Sequence, residues 1–337
     1  MKRQVETLSY SKTFSLWVLL ALVLLPAAAF SDDRRIGNDK RDGQAGDQQP
    51  SSVLVYNYYT SSASDPAQTD TQISLTNTNR ESSAFVHLFF ITKECFLADA
   101  YACVTANQTV TFPASDVDPG STGYIIAVAT DSQIGCPISF NHLIGSEAVK
   151  VAGGRSGSLN AEGFSALYNG RFPGCKSDTT VVSVVLDGDR YEAAPRELAV
   201  DKVYSLADGY STLLVVNSLN MEIVPNPSTH IGSLFGVLYD DVENAASFTR
   251  QVSGCQLAEV LSNTFPQTTP AFSTFVPAGR GGWIRLMSQE GKGVSGAVIN
   301  FNPNAATKKG IFNNSHNLHH LSYTPATIKV PVFPPSC

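Results

Sequence analysis

The chain of 337 residues is 43% hydrophobic and 15% charged, and its formal net charge is −6 with no cluster of Lys or Arg. That length is enough for two domains of ordinary size. A net acidic surface repels phosphate backbones, so nucleic acid is excluded as an expected partner.

The first residues have the pattern of a secretory signal. Lys2 and Arg3 precede an apolar run at 14–25, and small residues at 27–29 fit a cleavage site. The run is short for a membrane span, so a cleaved signal peptide over 1–31 is favoured over an uncleaved anchor. No later segment approaches eighteen apolar residues. We therefore expect a secreted or extracytoplasmic protein, in the periplasm, at the cell surface or in the medium, that does not span a membrane after cleavage.

Residues 32–50 are polar, mixed in charge and nearly without residues that could be buried, which predicts a disordered leader. After it, short runs rich in β-branched and aromatic residues alternate with Gly, Pro, Asn and Asp, which predicts strands separated by turns. Only 160–168 has helical spacing. The predicted strands are 53–59, 71–77, 84–91, 108–112, 123–130, 136–141, 181–186, 212–217, 232–239, 272–276, 282–287, 296–301 and 327–332.

Three strand-like segments recur in the same order at offsets near 160. Residues 53–57 resemble 213–217, residues 123–128 resemble 282–287, and 138–141 resembles 299–302. Recurrence at a fixed spacing indicates internal duplication. We therefore expect an all-β protein of two tandem antiparallel β-sandwich modules, Ig-like or jelly-roll-like. The first module is predicted over 51–195 and the second over 203–337, with a charged segment at the boundary.

All cysteines follow the predicted signal, and their number is even, which in an oxidising compartment predicts disulfides. A zinc site is the rival interpretation, but no Cys-x-x-Cys pair is present. Four cysteines fall in the first predicted module and two in the second, so that every pair could form within one module. Three connectivities are possible among the four cysteines of the first module. The favoured pairs are Cys95 with Cys103, Cys136 with Cys175, and Cys255 with Cys337.

Two groups of residues have the composition of a metal site. His316, His319 and His320 could converge on zinc or copper through neutral imidazoles, although no carboxylate lies in that segment. Asp116 and Asp118 could contribute to a Ca²⁺ loop. The alternative for the histidines is a polar surface loop before the last strand. The alternative for the aspartates is an ordinary Asp-Pro-Gly turn.

No complete nucleophile elbow, phosphate loop or dinucleotide fingerprint is present in the sequence. The leading expectation is therefore a non-catalytic extracellular or cell-envelope protein with a structural, adhesive or binding role. The alternative is a secreted hydrolase that uses a carboxylate pair or the histidine cluster. No cofactor is expected apart from the possible Zn or Ca, and the sequence leaves the ligand and the oligomeric state open.

Overall fold

The structure is a computed structural model that describes residues 46–223 and 230–336. The fold is 53% strand and 4% helix, which confirms the all-β prediction. The predicted signal peptide over 1–31, residues 32–45 of the predicted leader, and Cys337 lie outside the described residues. Gly46, inside the predicted leader, exchanges two backbone hydrogen bonds with Gly163.

The described part of the chain has twenty-one strands. Three short helical turns join them: the 3₁₀ turns Ala114–Asp116 and Leu206–Asp208, and the α-helix Phe272–Phe275. The strands are β1 Val53–Thr60, β2 Asp70–Asn77, β3 Ala84–Thr92, β4 Leu97–Val104, β5 Thr109–Pro113, β6 Thr122–Thr130, β7 Leu143–Lys150, β8 Ser156–Asn160, β9 Glu162–Phe164, β10 Val181–Leu186, β11 Ala194–Tyr204, β12 Ser211–Ser218, β13 Met221–Glu222, β14 Gly232–Asp240, β15 Ala245–Val252, β16 Gln256–Val260, β17 Gly281–Ser288, β18 Val294–Phe301, β19 Asn314–Asn317, β20 His319–Thr324 and β21 Ala326–Pro331.

These strands form five sheets: sheet 1 (β4-β3-β6-β1-β9), sheet 2 (β5-β2-β7-β8), sheet 3 (β10-β21-β13), sheet 4 (β15-β14-β17-β11-β20) and sheet 5 (β16-β12-β18-β19). The five sheets are the blades of a five-bladed β-propeller. The prediction of two tandem β-sandwich modules is therefore wrong. Among the named strands of the described residues, pairing is antiparallel except between β13 and β21.

The physical reason for this correction lies in strand β1. All eight of its residues are buried, because both faces of sheet 1 are covered. Leu54 packs in the cluster that contains Ile73 of sheet 2, whereas Val53 packs in the cluster that contains Ile328 of sheet 3. A two-layer sandwich covers one face of each sheet and leaves the other to solvent. The continuous apolar run of β1 is the sequence signal of a strand covered on both faces.

The predicted boundary between modules falls within continuous structure. Residues 195–203 lie inside β11, and sheet 3 joins β10 to β13 and β21, which both belong to the second predicted module. The described residues belong to one compact unit. Folding of residues 51–195 on their own stays a prediction.

The blades are repeat-like in strand order, but not at the positions that the sequence indicated. Sheet 4 has the same strand order as sheet 1, with β11 in the position of β1. Sheet 5 has the same strand order as sheet 2, with β12 in the position of β2. Of the three sequence echoes, the second joins β6 to β17, which occupy the same middle position. The first joins β1 to β12, which do not. Residues 138–141 of the third echo are not a strand.

Two further local predictions are wrong. The segment 160–168, predicted to be helical, contains strand β9, which pairs with β1. The segment 272–276, predicted to be a strand, contains the one-turn helix Phe272–Phe275. In both segments the aromatic side chains pack into the core: Phe164 and Phe272 are both fully buried. Buried aromatics at short spacing therefore did not distinguish the two secondary structures.

The disulfides confirm oxidative pairing and correct its pattern. Cys136 pairs with Cys175 as expected, but Cys95 pairs with Cys255, so the pairs Cys95–Cys103 and Cys255–Cys337 are wrong. The β3–β4 hairpin carries Cys103 six residues beyond its start at Leu97, about 20 Å along the strand. Cys103 is itself disulfide-bonded.

Cys95–Cys255 links the β3–β4 connection to the β15–β16 connection, and the two cysteines are 160 residues apart. We expect a non-reducing digest to yield a peptide joining these two cysteines. The chain-entropy estimate for this loop is about 5 kcal/mol, against about 4 kcal/mol for the loop of 39 residues closed by Cys136–Cys175. In denaturant unfolding, Cys95→Ala/Cys255→Ala should therefore lose at least as much free energy of unfolding as Cys136→Ala/Cys175→Ala. A digest that joins Cys95 to Cys103 would contradict this.

A buried carboxyl group lies beside β1. Glu147 of β7 is 1% exposed; its Oε1 accepts from the Tyr58 N–H at 3.0 Å, and its Oε2 has no hydrogen-bond partner among the described residues. Burial raises the pKa of Glu147 well above its ordinary value of 4.5, and backbone hydrogen bonds from Tyr58 and Asn57 only partly oppose this. The native state therefore holds the proton at pH values where the unfolded chain has lost it.

This difference makes stability depend on pH. As pH rises above about 4.5, unfolding releases the Glu147 proton, so the free energy of unfolding falls by up to about 1.4 kcal/mol per pH unit until the raised native pKa is passed. Glu147→Gln should remove this slope, whereas the exposed-site control Glu81→Gln should keep it. The measurement is urea unfolding from pH 4 to pH 8. Equal slopes in wild type and Glu147→Gln would refute the assignment.

Candidate metal site

The predicted histidine segment crosses from one sheet to another. Strand β19 pairs with β18 in sheet 5, and β20 pairs with β11 in sheet 4. Leu318, the single residue between them, is 3% exposed, and its N–H donates to the Gly296 carbonyl at 2.9 Å. This buried residue fixes the crossover, and His316 and His319 lie on either side of it.

A second crossover has the same form. Strand β8 belongs to sheet 2 and β9 to sheet 1, and Ala161 lies between them. Ala161 is 5% exposed, and its N–H donates to the Gly145 carbonyl at 2.9 Å. The next residue, Glu162, is 1% exposed and opens β9 opposite Val55 of β1.

The two crossovers lie side by side. Asn317 Nδ2 donates to the Asn160 carbonyl at 2.8 Å, and Ser315 Oγ donates to the Ser158 carbonyl at 2.7 Å. Both segments read Ser-x-Asn at these positions. Because side chains of β19 hydrogen-bond to the backbone of β8, residues that are far apart in sequence meet there.

A pocket of about 380 Å³ opens where the crossovers meet. Its walls carry three carboxylates and three imidazoles, a donor set that suits borderline transition metals. The lining residues are Gly46, Asp47, Glu162, Asp201, His316, Asn317, Leu318, His319 and His320.

Asp201 reaches this pocket through an irregularity in β11. The register of β11 with β17 shifts between Val200 and Val203, so that Asp201 and Lys202 are both exposed although they are adjacent. A bulge adds a residue to one strand and changes the direction of a side chain. In this bulge Asp201 lies against the histidines, whereas Lys202 lines a different pocket.

The hydrogen bond of His316 determines which of its nitrogens can bind a metal. Nδ1 lies 2.9 Å from the Asn317 carbonyl oxygen, which can only accept, so Nδ1 carries the proton. Nε2 of the neutral ring then has a free lone pair. It is buried without a hydrogen bond of acceptable angle to any described residue, although Asp201 Oδ1 lies 3.0 Å away. Metal-binding histidines commonly donate their other N–H to a backbone carbonyl in this way.

The distances between these atoms fit a shared cation. His319 Nε2 lies 3.9 Å from Asp201 Oδ2, and one ligand atom from each of Asp201, His316 and His319 lies within 4.8 Å of the others. Ligand atoms bound at about 2.1 Å are about 3.0 to 3.4 Å apart in six- or four-coordinate sites. The His319 side chain is 61% exposed, so its ring has space to turn toward Asp201. Within 46–223 and 230–336, this is the one such group of three.

Buried amides hold the crossover in place. Asn57 of β1, fully buried, donates from Nδ2 to Asn317 Oδ1 at 2.9 Å. The Asn57 carbonyl accepts from Asn217 Nδ2 at 2.9 Å, and Asn217 Oδ1 accepts from Gln256 Nε2 at 2.8 Å. These hydrogen bonds restrict the neighbouring backbone, although Gln256 Oε1 has no hydrogen-bond partner among the described residues. The residue between His316 and Leu318 is thereby anchored in the interior.

His320 is close to the other histidines in sequence but contacts a different carboxylate. Its Nε2 lies 3.1 Å from Glu162 Oε1, at the second crossover. The predicted trio is thus divided: His316 and His319 face Asp201, and His320 faces Glu162 in the same pocket.

The predicted calcium pair lies elsewhere. Asp118 accepts hydrogen bonds on both carboxylate oxygens, from Tyr59 Oη at 2.5 Å and from Ser121 Oγ at 2.9 Å. Asp116 closes a 3₁₀ turn, and Gly120 has the left-handed φ of +84° that an Asp-Pro-Gly turn requires. Calcium binding at Asp116 and Asp118 stays a prediction.

Three carboxylates of the pocket were not predicted as site residues. Asp201 lies next to the predicted module boundary, Glu162 in the predicted helix, and Asp47 in the predicted leader. None of the three has a distinctive sequence signal: Asp201, for example, is followed by Lys202 in a charged segment. Comparisons with protein-family models, curated proteins and solved structures give no match.

Proposed function

We propose that this chain is an extracytoplasmic, non-catalytic binding protein that holds a divalent transition-metal ion, zinc or copper, through Asp201, His316 and His319. The observation that carries the proposal is the His316 ring. Its Nδ1–H is committed to a backbone carbonyl, and its Nε2 faces a carboxylate oxygen at 3.0 Å. Two acceptor atoms at that distance repel each other unless a cation or a proton lies between them.

The competing interpretation is an imidazolium–carboxylate ion pair between His316 and Asp201. That pair would gain most from an N–H directed at the oxygen, whereas the angle at Nε2 does not make a hydrogen bond. The approach of His319 Nε2 to Asp201 favours the metal, because one cation can bind both imidazoles, whereas two imidazolium rings beside one carboxylate repel each other.

Zinc titration of the purified protein tests this site. Wild type should bind Zn²⁺, and Asp201→Asn should weaken the tightest binding by at least about 100-fold, since loss even of an outer partner of a ligand costs 10- to 100-fold. The measurement is isothermal titration calorimetry at pH 7.5, repeated with Cu²⁺.

His142→Gln supplies the matched control, because His142 is an exposed histidine away from the pocket. Its affinity should equal that of wild type. If wild type does not bind zinc, or if Asp201→Asn binds zinc as tightly as wild type, the metal proposal is refuted.

Location outside the cytoplasm is supported by the disulfides, which persist in oxidising compartments. None of the helices in the described residues is long and apolar enough to cross a membrane. Expressed in a secreting host, the full chain should be recovered outside the cytoplasm with a new N-terminus between residues 28 and 32. Cytoplasmic protein that keeps Met1 would contradict export.

A secreted hydrolase is the second candidate, favoured by the open coordination that three protein ligands leave at a metal. Zinc-loaded wild type that turns over a nitrophenyl ester or phosphodiester, with turnover lost in Asp201→Asn, would replace the non-catalytic proposal. Zinc binding without turnover supports the non-catalytic proposal.

A further inference from the structure

Glu162 is a carboxylate buried beside the proposed metal site. It is 1% exposed, and neither of its oxygens has a hydrogen-bond partner among the described residues. Its only ion-pair contact within that part of the chain is His320 Nε2, 3.1 Å from Oε1. A buried carboxylate without hydrogen bonds is costly unless a cation compensates its charge.

The surroundings of Glu162 add negative charge. Asp47 lines the same pocket. No Lys or Arg of the described residues lies within ion-pair distance of Glu162. The pocket therefore presents several anionic oxygens with imidazoles as its only basic groups.

The spacing of the two facing atoms is that of metal ligands. A separation of 3.1 Å between His320 Nε2 and Glu162 Oε1 falls within the range of about 3.0 to 3.4 Å expected for two ligands on one cation. The same range contains the separation of 3.0 Å between His316 Nε2 and Asp201 Oδ1. The pocket thus contains two imidazole–carboxylate pairs, His316 with Asp201 and His320 with Glu162, and both imidazoles come from the β19–β20 crossover.

We propose that the pocket holds two divalent cations: one on Asp201, His316 and His319, and a second on Glu162 and His320. This inference rests on the proposed function, because it enlarges the same site. The second position takes a cation that accepts mixed nitrogen and oxygen ligands, such as Zn²⁺, with Asp47 available on the pocket wall as a further carboxylate.

Stoichiometry tests the second position. Full-length protein is saturated with Zn²⁺, dialysed against metal-free buffer and analysed for zinc per chain by inductively coupled plasma mass spectrometry. Wild type should retain two zinc ions. Glu162→Gln and Asp201→Asn should each retain one, the double variant none, and the control His142→Gln two.

The outcomes separate this inference from the proposed function. One zinc in wild type, unchanged in Glu162→Gln and lost in Asp201→Asn, would overturn the second position and leave the first intact. No zinc in wild type would overturn both. Two zinc ions that Glu162→Gln does not reduce would place the second cation elsewhere and overturn this inference.

Glu162 is buried, so its replacement could disturb folding. His320→Gln gives a second route, because the His320 side chain is 11% exposed and its loss removes the nitrogen ligand without touching β1. It should also retain one zinc. Thermal unfolding of both zinc-free variants, compared with zinc-free wild type, identifies a folding defect. If either folded variant retains two zinc ions, the assignment fails.

Discussion

The structure depends on burying a strand that is not entirely apolar. Both faces of sheet 1 are covered, so every side chain of β1 is removed from water, including the amide of Asn57. That amide has to be satisfied by protein groups, since an unpaired buried polar group costs about 1 to 3 kcal/mol. Asn217 Nδ2 donates to the Asn57 Oδ1, and Asn317 Oδ1 accepts from the Asn57 Nδ2, so both partners come from sheet 5. One buried amide therefore determines how two sheets lie against each other, which nonspecific apolar contact would leave less defined.

The same requirement orders the metal-ligand side chains. Asn317 is fixed by Asn57, by Asp47 and by the carbonyl of Asn160, so its own carbonyl stays in place to accept the proton of His316 Nδ1. A ligand is oriented most accurately when its supporting groups are themselves held by packing and hydrogen bonds. His316 meets this condition through an interior network, whereas His319 and Asp201 are more exposed and keep freedom to adjust.

Strand positions were largely predictable from apolar content, and the prediction of 181–186 coincides with β10 Val181–Leu186. Strands with polar, alternating sequences were missed, such as β15 Ala245–Val252 and β20 His319–Thr324, because Ser, Thr, Arg and His do not distinguish an edge strand from a loop. The histidines of the site were recognisable. Their carboxylate partners were not, because contact between Asp201 and His316 arises only after two strands switch sheets.

The two crossovers share their backbone contacts but differ in the side chains that they bring to the pocket. Each has Ser-x-Asn and a buried residue that donates to a glycine carbonyl, yet the position of Glu162 in one corresponds to His319 in the other. Two histidines facing each other would repel when protonated, and two carboxylates would repel at neutral pH. An acid from one wall and imidazoles from the other instead give a mixed set of nitrogen and oxygen ligands. The common features hold the backbones together, and the difference between the walls produces a cavity suited to cations.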